Sequence, residues 1–317
     1  MHKLNTISGQ ITIEEFYDIS FNPEYKIVQA NDFITARQDL SFIEAKIIRL
    51  AILQILSEDN KFKPYEIELL KLQSILKCDR ANLYVSAKKI ADSISSKYIG
   101  IRMSNGSFKN IPWVSFCEYD VESHKFRFML NEQLKGYLIG LKEKGHYTQY
   151  MYEMTDKVSN INNLRLLELL IEHAKCDIFS INKDGIDINL SISEIKDALM
   201  LYRHMRRARR EGKNIVFAEY LDLYEKNEKG QMIPSYNRGY DYKRNIIDKF
   251  VKEINNTGYF NISYSDIKKP GSKKISGFCF HLERTHFDWA KKNPIKAQKI
   301  EEKANAIWDK HIGTLHT

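Results

Sequence analysis

The chain has 317 residues, of which 43% are hydrophobic and 28% charged, so it is long enough for two folded domains. Its four cysteines are far apart, and its longest apolar run, residues 47–56, is interrupted by Arg49 and Gln54. These features exclude a disulfide scaffold, a zinc ribbon and a membrane-spanning helix, and the polar N-terminus lacks the apolar core of a signal peptide. We expect a soluble, cytoplasmic protein.

The positive charge is concentrated in the second half of the chain. The formal net charge is +8. Residues 1–150 carry 20 Lys+Arg and 18 Asp+Glu, whereas residues 151–317 carry 29 and 23. This imbalance favours a polyanionic partner that binds mainly to the second half.

The first half begins with an extended segment over Lys26–Phe33 and then shows helix signals. Ser41-Phe-Ile-Glu44 has the pattern of a capping box, and it opens an apolar helix to about Leu56. A short strand at Tyr65–Ile67 is followed by a helix over Leu69–Leu76, a tight turn, and a second helix over Arg80–Ser95. This spacing is typical of a helix-turn-helix.

A region rich in strand signals follows the helix-turn-helix. Strands are predicted over Lys97–Met103, Ile111–Tyr119 and Lys125–Leu130, with helix again over Asn131–Leu141. Asn105-Gly106 between the first two runs is a strong hairpin signal.

The second half repeats this order. Tyr147–Cys176 is predicted to be mostly helical, with its tyrosines at the spacing of one helix face, and a strand follows at Ile186–Leu190. Ser191-Ile-Ser-Glu194 is a second capping-box pattern, opening a helix to about Tyr202. The segment Arg203–Gly239 then interrupts the helix pair.

The stretch from Tyr236 to Arg284 contains the strongest functional signal. Five apolar residues form one stripe of a helix: Ile246, Ile247, Phe250, Val251 and Ile254. The helix is predicted to end at Gly258, and strands at Tyr259–Tyr264 and Ile275–Leu282 follow, joined by a turn with four lysines. An amphipathic helix followed by a hairpin with a basic tip is typical of the DNA-binding half of a winged helix.

We therefore predict an α+β fold, mainly helical, made of two tandem winged-helix domains, each a helix-turn-helix followed by a β-wing. The expected division is a partly mobile extension (1–25), a first domain for dimerisation and DNA contact (26–145), a second domain as the main DNA reader (146–290), and a basic helical tail (291–317). The second domain contains the insertion 203–239.

Two other patterns have a less specific interpretation. The run Arg203-His-Met-Arg-Arg-Ala-Arg-Arg210 is either a solvated helix end or a supplementary phosphate contact. Its His-x-x-Arg, with Tyr236, Tyr240 and Tyr242 further on, has the layout of a tyrosine recombinase site, but chance produces that layout in a chain with 18 tyrosines. No His-x-His metal pair is present, and we expect no metal, cofactor or catalytic residue.

Four blocks of the sequence resemble the iteron-binding plasmid replication initiators. They are Lys26–Ile52, Ile111–Tyr119, Tyr147–Tyr150 and Tyr242–Asn255, and the likeness covers roughly residues 25–285. The resemblance implies two winged-helix domains that bind directly repeated duplex sites at a replication origin, as monomers that initiate replication and as dimers that repress their own promoter. It also implies contact with the host initiator and the replicative helicase. The long segment Arg203–Gly239 departs from the family pattern.

The candidate DNA contacts follow from this resemblance and from the basic residues beside it. We call the helix of each domain that is expected to enter the major groove its reading helix. The candidates are, in the second reading helix, Tyr242, Lys243, Arg244, Asn245 and Lys249; in the wing, Lys268, Lys269, Lys273 and Lys274; in the basic run, Arg206 and Arg207; and in the first domain, Arg80, Asn82, Lys88 and Lys89. Arg and Asn suit bidentate contacts to guanine and adenine edges, whereas the lysines suit phosphates. The alternatives are a two-winged-helix transcriptional regulator without a replication role and a tyrosine-dependent strand-cleaving enzyme.

Overall fold

The computed structural model describes residues 26–55, 59–68, 72–73, 75, 79–103, 105–120, 122–123, 125–141, 145–174, 185–201, 225–226, 232–233, 242–258, 260–268 and 270–284. The expectations for the extension 1–25, for most of the helix over 69–76, for the basic run 203–210 and for the tail 291–317 concern residues outside these ranges.

The elements of the first half are, in chain order, β1 (Lys26–Ala30), α1 (Asn31–Thr35), β2 (Arg37–Gln38), α2 (Phe42–Leu53), β3 (Tyr65–Glu68), α3 (Arg80–Ser95), β4 (Tyr98–Arg102), β5 (Phe108–Pro112), β6 (Val114–Asp120), β7 (Lys125–Leu130), a 3₁₀ turn (Glu132–Leu134) and α4 (Lys135–Leu138).

The elements of the second half are β8 (Tyr147–Met151), α5 (Tyr152–Lys157), α6 (Ile161–His173), β9 (Ile186–Ser191), α7 (Ile192–Ala198), β10 (Glu225–Lys226), β11 (Met232–Ile233), a π-helical turn (Lys243–Ile247) that leads directly into α8 (Asp248–Thr257), β12 (Phe260–Lys268) and β13 (Ile275–Arg284).

The two halves share one sheet topology. In the first, the antiparallel order is β3-β7-β6, and in the second it is β12-β13-β9. In each case the short strand that precedes the helix pair hydrogen-bonds to the last strand of the hairpin, as Tyr65 opposite Phe128 and Leu190 opposite Phe278 show. Both halves are therefore winged helices, as predicted.

Both predicted capping boxes are present. Ser41 N–H donates to Glu44 Oε2 at 2.5 Å and Ser191 N–H donates to Glu194 Oε2 at 2.7 Å, while each serine hydroxyl accepts from the glutamate N–H in return. Burial tends to raise the pKa of Glu44, but Lys97, whose Nζ lies 2.6 Å away, lowers the pKa below its ordinary value. The first capping box is thereby linked to the residue before β4.

The prediction of helix over 147–151 was wrong. These residues form β8, which pairs antiparallel with β1, so that Tyr150 lies opposite Ile27. Thr148 and Tyr150 are buried, while Tyr147 and Gln149, which alternate with them, are only half-buried, which is the period-two pattern of a strand. A partner strand about 120 residues earlier in the chain decided between the two patterns.

Several predicted element boundaries also differ from the structure: the extended segment predicted over 26–33 ends at Ala30, where α1 begins, and the helix predicted over 131–141 is a 3₁₀ turn followed by α4, which ends at Leu138. The single strand expected over 111–119 is two strands, because β5 ends at Pro112 and the fully buried Trp113 separates it from β6. The helix expected to reach Tyr202 ends at Ala198. Met200 adopts the left-handed conformation (φ 51°), and Leu201 N–H donates to Lys196 O at 3.0 Å, which closes the helix end.

A buried ionic cluster joins α2 to α6, the long apolar helices of the two halves. The Glu168 carboxylate accepts from Arg49 Nε at 3.0 Å and from Arg49 Nη2 at 2.9 Å, and Arg165 Nη1 lies 2.7 Å from it. All three side chains are at most 2% exposed. Burial tends to raise the pKa of Glu168, but the two guanidinium groups lower it below the ordinary value, so the carboxyl is ionised.

The cluster extends to three further elements. Tyr150 of β8 donates its hydroxyl to Glu168, and Gln38 of β2 accepts from Arg49 Nη2 at 2.9 Å. Arg165 donates to the backbone carbonyls of Ile34 in α1 and of Ala36 just after it. Nearer the surface, Arg37 Nη2 lies 2.9 Å from Asp197 Oδ1 of α7. These bonds, like the β1–β8 pairing, join residues on the two sides of residue 145, where the domain boundary was predicted. That boundary stays a prediction.

We predict that Glu168→Gln lowers the free energy of unfolding by about 3–5 kcal/mol, because it leaves two buried guanidinium groups without a carboxylate. Urea denaturation followed by circular dichroism measures this change. The matched control is Glu132→Gln, since Glu132 is 61% exposed and its pair with Lys135 is 3.8 Å long. The control changes stability by less than about 0.5 kcal/mol. Equal stabilities for the two variants would contradict the importance of the cluster.

Candidate nucleic-acid interface

The helix formed by the π-helical turn and α8 presents a polar face to solvent. Ile246, Ile247, Phe250 and Ile254 are buried and Val251 is half-buried, which confirms the predicted apolar stripe. Phe250 packs edge-on against Phe280 of β13, with ring centroids 6.4 Å apart, so the helix is held against the sheet. Gly258 ends the helix in the left-handed conformation (φ 78°), also as predicted.

Three of the five residues predicted on this helix are exposed. They are Arg244, Asn245 and Lys249, and the exposed side chains of Asp248 and Lys252 lie beside them on the same helix. Arg244 and Asn245 lie in the π-helical turn, a distortion that is frequent at functional sites. The face therefore offers a guanidinium, an amide and an ammonium group within two turns.

Tyr242 and Lys243 are less exposed than the other three candidates on this helix. Tyr242 is 1% exposed, because it lies four residues before Ile246 and so extends the same apolar stripe. This burial removes its side chain from the candidate interface. Lys243 is half-buried: its Nζ lies 3.1 Å from Asp266 Oδ1 and 5.4 Å from the centroid of the Tyr264 ring. Asp266 neutralises this ammonium group and so weakens its attraction for a phosphate.

Asp248 has a partner on β12. The Tyr264 hydroxyl donates to Asp248 Oδ1 at 2.5 Å, and burial together with Asp248 raises the pKa of Tyr264 above its ordinary value. The phenol therefore stays protonated and keeps donating. This bond and the Lys243–Asp266 pair fix the first turns of the helix against the hairpin.

The hairpin β12–β13 is the predicted wing, and it is longer than the sequence indicated. Pairing runs from Phe260 opposite Arg284 to Lys268 opposite Ile275. Gly271 has φ 71° in the turn, a conformation that glycine adopts without strain. Lys268, Lys273 and Lys274 are exposed at the tip, and Lys269 lies outside the described residues. Charge is thus concentrated where a wing reaches a nucleic-acid backbone.

The first half has a reading helix of similar design but a different wing. In α3, Leu83, Ala87, Ala91 and Ile94 are buried. Its candidate contacts Asn82, Lys88 and Lys89 are exposed, whereas the side chain of Arg80 lies outside the described part.

The turn between β6 and β7 carries acidic residues instead of lysines. Asp120 accepts from the Ser123 hydroxyl at 2.6 Å and from Glu122 N–H at 3.0 Å, and these bonds lower the pKa of Asp120. Two carboxylates at this tip repel phosphates. The charge of the second wing is therefore not shared by the first.

Two features near the candidate interface were not predicted from the sequence. Tyr84 and Val85 of α3 are 44% and 51% exposed, and their signal in the sequence was that they are apolar yet lie off the buried stripe. Within the insertion, β10 and β11 form a short antiparallel ribbon. Arg206 and Arg207 lie outside the described residues, so their assignment stays a prediction.

Comparison with known proteins identifies the family. A model described as "Initiator Replication protein, WH1" matches residues 26–171, and one described as "Initiator Rep protein, WH2" matches residues 224–282. The chain belongs to the initiator replication protein family. The crystal structure of the Pi initiator protein in complex with iteron DNA is similar to it, with a TM-score of 0.60 and 15% sequence identity. That match covers 83% of this chain and 98% of the Pi chain.

The two family matches correspond to the two winged helices of this initiator. The first match contains α2, α3 and the β6–β7 wing, and it continues through most of α6. The second contains the reading helix at 243–257 and most of the β12–β13 wing. The candidate interface therefore lies mainly within the WH2 match.

No other chemistry is evident in the part of the initiator that the structure covers. Among these residues, no group of His, Cys, Asp and Glu side chains could hold a metal ion, and no helix is long and apolar enough to cross a membrane. A cleft of about 450 Å³ lies between β4–β5 and α6–α7. It is lined by charges of both signs, including the paired Arg37 and Asp197.

Proposed function

We propose that this replication initiator acts by binding directly repeated duplex sites, or iterons, at its origin. The observation that supports this most is the exposed face with Arg244, Asn245 and Lys249, held beside a wing whose tip carries Lys268, Lys273 and Lys274. The similar Pi initiator was crystallised with iteron DNA, which favours the same kind of ligand for this family member.

The second reading helix supplies base recognition in this proposal. An α-helix fits the major groove, where an Arg side chain pairs with both acceptors of guanine and an Asn side chain pairs with adenine. Arg244 and Asn245 are adjacent and exposed, so they can address neighbouring base pairs. The cluster at Glu168 keeps the two reading helices in one molecule at a constant separation, which suits a site of fixed length.

The wing lysines and the first reading helix contribute mainly affinity. Lys273 and Lys274 neutralise phosphates, which releases counterions from the duplex. In the first half, Asn82, Lys88 and Lys89 are exposed on α3, but the acidic turn between β6 and β7 adds no phosphate contact. The second domain is therefore the main DNA reader, and the first domain is the auxiliary one.

The initiator acts through binding energy and not through catalysis. Of the three tyrosines that fit a strand-cleaving layout, Tyr242 is buried, and Tyr236 and Tyr240 lie outside the described residues. A buried phenol cannot attack a phosphate without rearrangement of the helix.

Self-association through the first domain regulates this activity. Tyr98 of β4 and Phe108 of β5 are 40% and 42% exposed, so both side chains are available for contact with a second copy of the chain. Monomers initiate replication in the cytoplasm and recruit the host initiator and replicative helicase, whereas dimers repress the initiator's own promoter.

A footprint on the DNA that flanks the initiator's gene, at two salt concentrations, tests the proposed function. We expect protection of several evenly spaced direct repeats that persists at the higher salt concentration. A single protected inverted repeat would instead indicate a dimeric repressor without an origin. Protection without boundaries that disappears with salt would contradict sequence-specific binding altogether.

We predict that Arg244→Ala weakens binding to the cognate repeat by about 1–3 kcal/mol, the range for a bidentate base contact. Binding to random DNA of the same length should change much less. The control is Arg102→Ala, which removes an exposed arginine of β4 outside both reading helices. Fluorescence anisotropy titrations measure both affinities, and an equal loss on the two DNAs would make Arg244 a phosphate contact.

For the wing, we predict that Lys273→Ala/Lys274→Ala lowers affinity for all sequences. The slope of log K against log salt concentration should become shallower by about two, since each phosphate contact contributes about 0.9. Lys61→Ala/Lys135→Ala removes the same charge outside the interface and leaves the slope near its wild-type value. An unchanged slope in the wing variant would remove the wing from the interface.

A further inference from the structure

We infer that Val85 is a specificity-determining residue of the first domain, which contacts the 5-methyl group of a thymine in the major groove. The inference rests on the proposed binding of duplex repeats, and it deepens that proposal. It gives the first reading helix a part in sequence recognition as well as in affinity.

The position of Val85 on α3 places it among the polar residues of the exposed face. Asn82, Val85 and Lys89 are separated by three and four residues, so they form one stripe of the helix, and all three are exposed. Leu83 and Ala87 are buried on the opposite side. The stripe thus offers an amide, an isopropyl group and an ammonium group in succession.

The neighbouring Tyr84 has an explanation within the fold that Val85 lacks. The Tyr84 ring packs edge-on against Tyr119 of β6, with centroids 4.8 Å apart, so its exposed edge belongs to an aromatic pair. Val85 is 51% exposed and takes no part in the hydrophobic core formed by the described residues.

Helix stability and solubility do not account for a valine at this site. A β-branched residue is a poorer helix former than alanine or lysine, and an exposed isopropyl group gains nothing from water. The isopropyl group is thus available for contact with an external surface.

The charges around Val85 indicate which surface this is. Lys88 and Lys89 are exposed on the same helix, together with the single acidic residue Asp92 further along the stripe, so a partner that covers Val85 meets a net positive charge. Duplex DNA satisfies both demands, because its phosphates attract the lysines and the thymine methyl group is the one apolar feature of the base edges in the major groove.

The test replaces thymine by deoxyuridine in a cognate repeat, one half of the site at a time, which removes only methyl groups. We expect the wild-type protein to bind the substituted duplex about four-fold more weakly for one half, the factor that corresponds to burial of one methyl-sized group. Val85→Ala should bind the thymine duplex with a similar loss and show no further loss with deoxyuridine.

The matched control is Val28→Ala, which makes the same chemical change at a half-exposed site of β1. It should keep the wild-type sensitivity to deoxyuridine. Because Val85 contributes little to the core, the Tm of Val85→Ala should equal that of the wild type or exceed it, so a loss of binding is not a loss of folding.

Two results would overturn the inference while leaving the proposed function intact. One is a wild-type protein that binds the repeat specifically but is indifferent to thymine methyl groups in both halves. The other is a Val85→Ala variant as sensitive to deoxyuridine as the wild type, which would point to a partner other than a thymine methyl group. Absence of any preference for the repeat over random DNA would instead refute the proposed function itself.

Discussion

The fold depends on one buried carboxylate shared between two guanidinium groups. Glu168 of α6 binds Arg49 of α2, 119 residues earlier, together with Arg165 of its own helix. Removal of these charges from water costs several kcal/mol per ion, and their mutual attraction offsets that cost only in good geometry. The bidentate Arg49 contact and the Tyr150 hydroxyl supply that geometry, so the cluster favours one packing of the two winged helices over others.

The Glu168 cluster joins the two winged helices in one molecule, so the proposed interface consists of two reading helices. Each reading helix is held by its own apolar stripe, whereas the contact of α2 with α6, the β1–β8 pairing and the Arg37–Asp197 pair connect the two halves. A DNA site read by both helices must match their separation. Mutations in the cluster should therefore affect recognition of the whole site as well as stability.

The two halves share a topology but differ in electrostatics. The second wing carries Lys268, Lys273 and Lys274 at its tip, whereas the turn of the first carries Asp120 and Glu122. The second reading helix exposes an arginine, an asparagine and lysines, while the first exposes an asparagine, lysines and a valine. Two copies of one architecture thus present different side chains to solvent.

Local signals in the sequence were sufficient for much of this description. The two capping boxes, the stripe from Ile246 to Ile254, the left-handed Gly258 and the lysine-tipped hairpin all depend on residues a few positions apart. Such features obey helix and turn geometry that is the same in every protein. The exposure of Arg244, Asn245 and Lys249 follows from the same periodicity.

Only the tertiary structure decided the features that join distant residues. The segment 147–151 is a strand because β1 offers it hydrogen bonds, and Arg49 is buried because Glu168 meets it there. Lys243 pairs with Asp266 of β12, a contact that spans 23 residues and depends on how the helix lies on the hairpin. The sequence by itself determined the elements and their exposed faces, because these depend on neighbours in the chain. Which buried charges meet, and which strands pair, depends on partners that local periodicity does not specify.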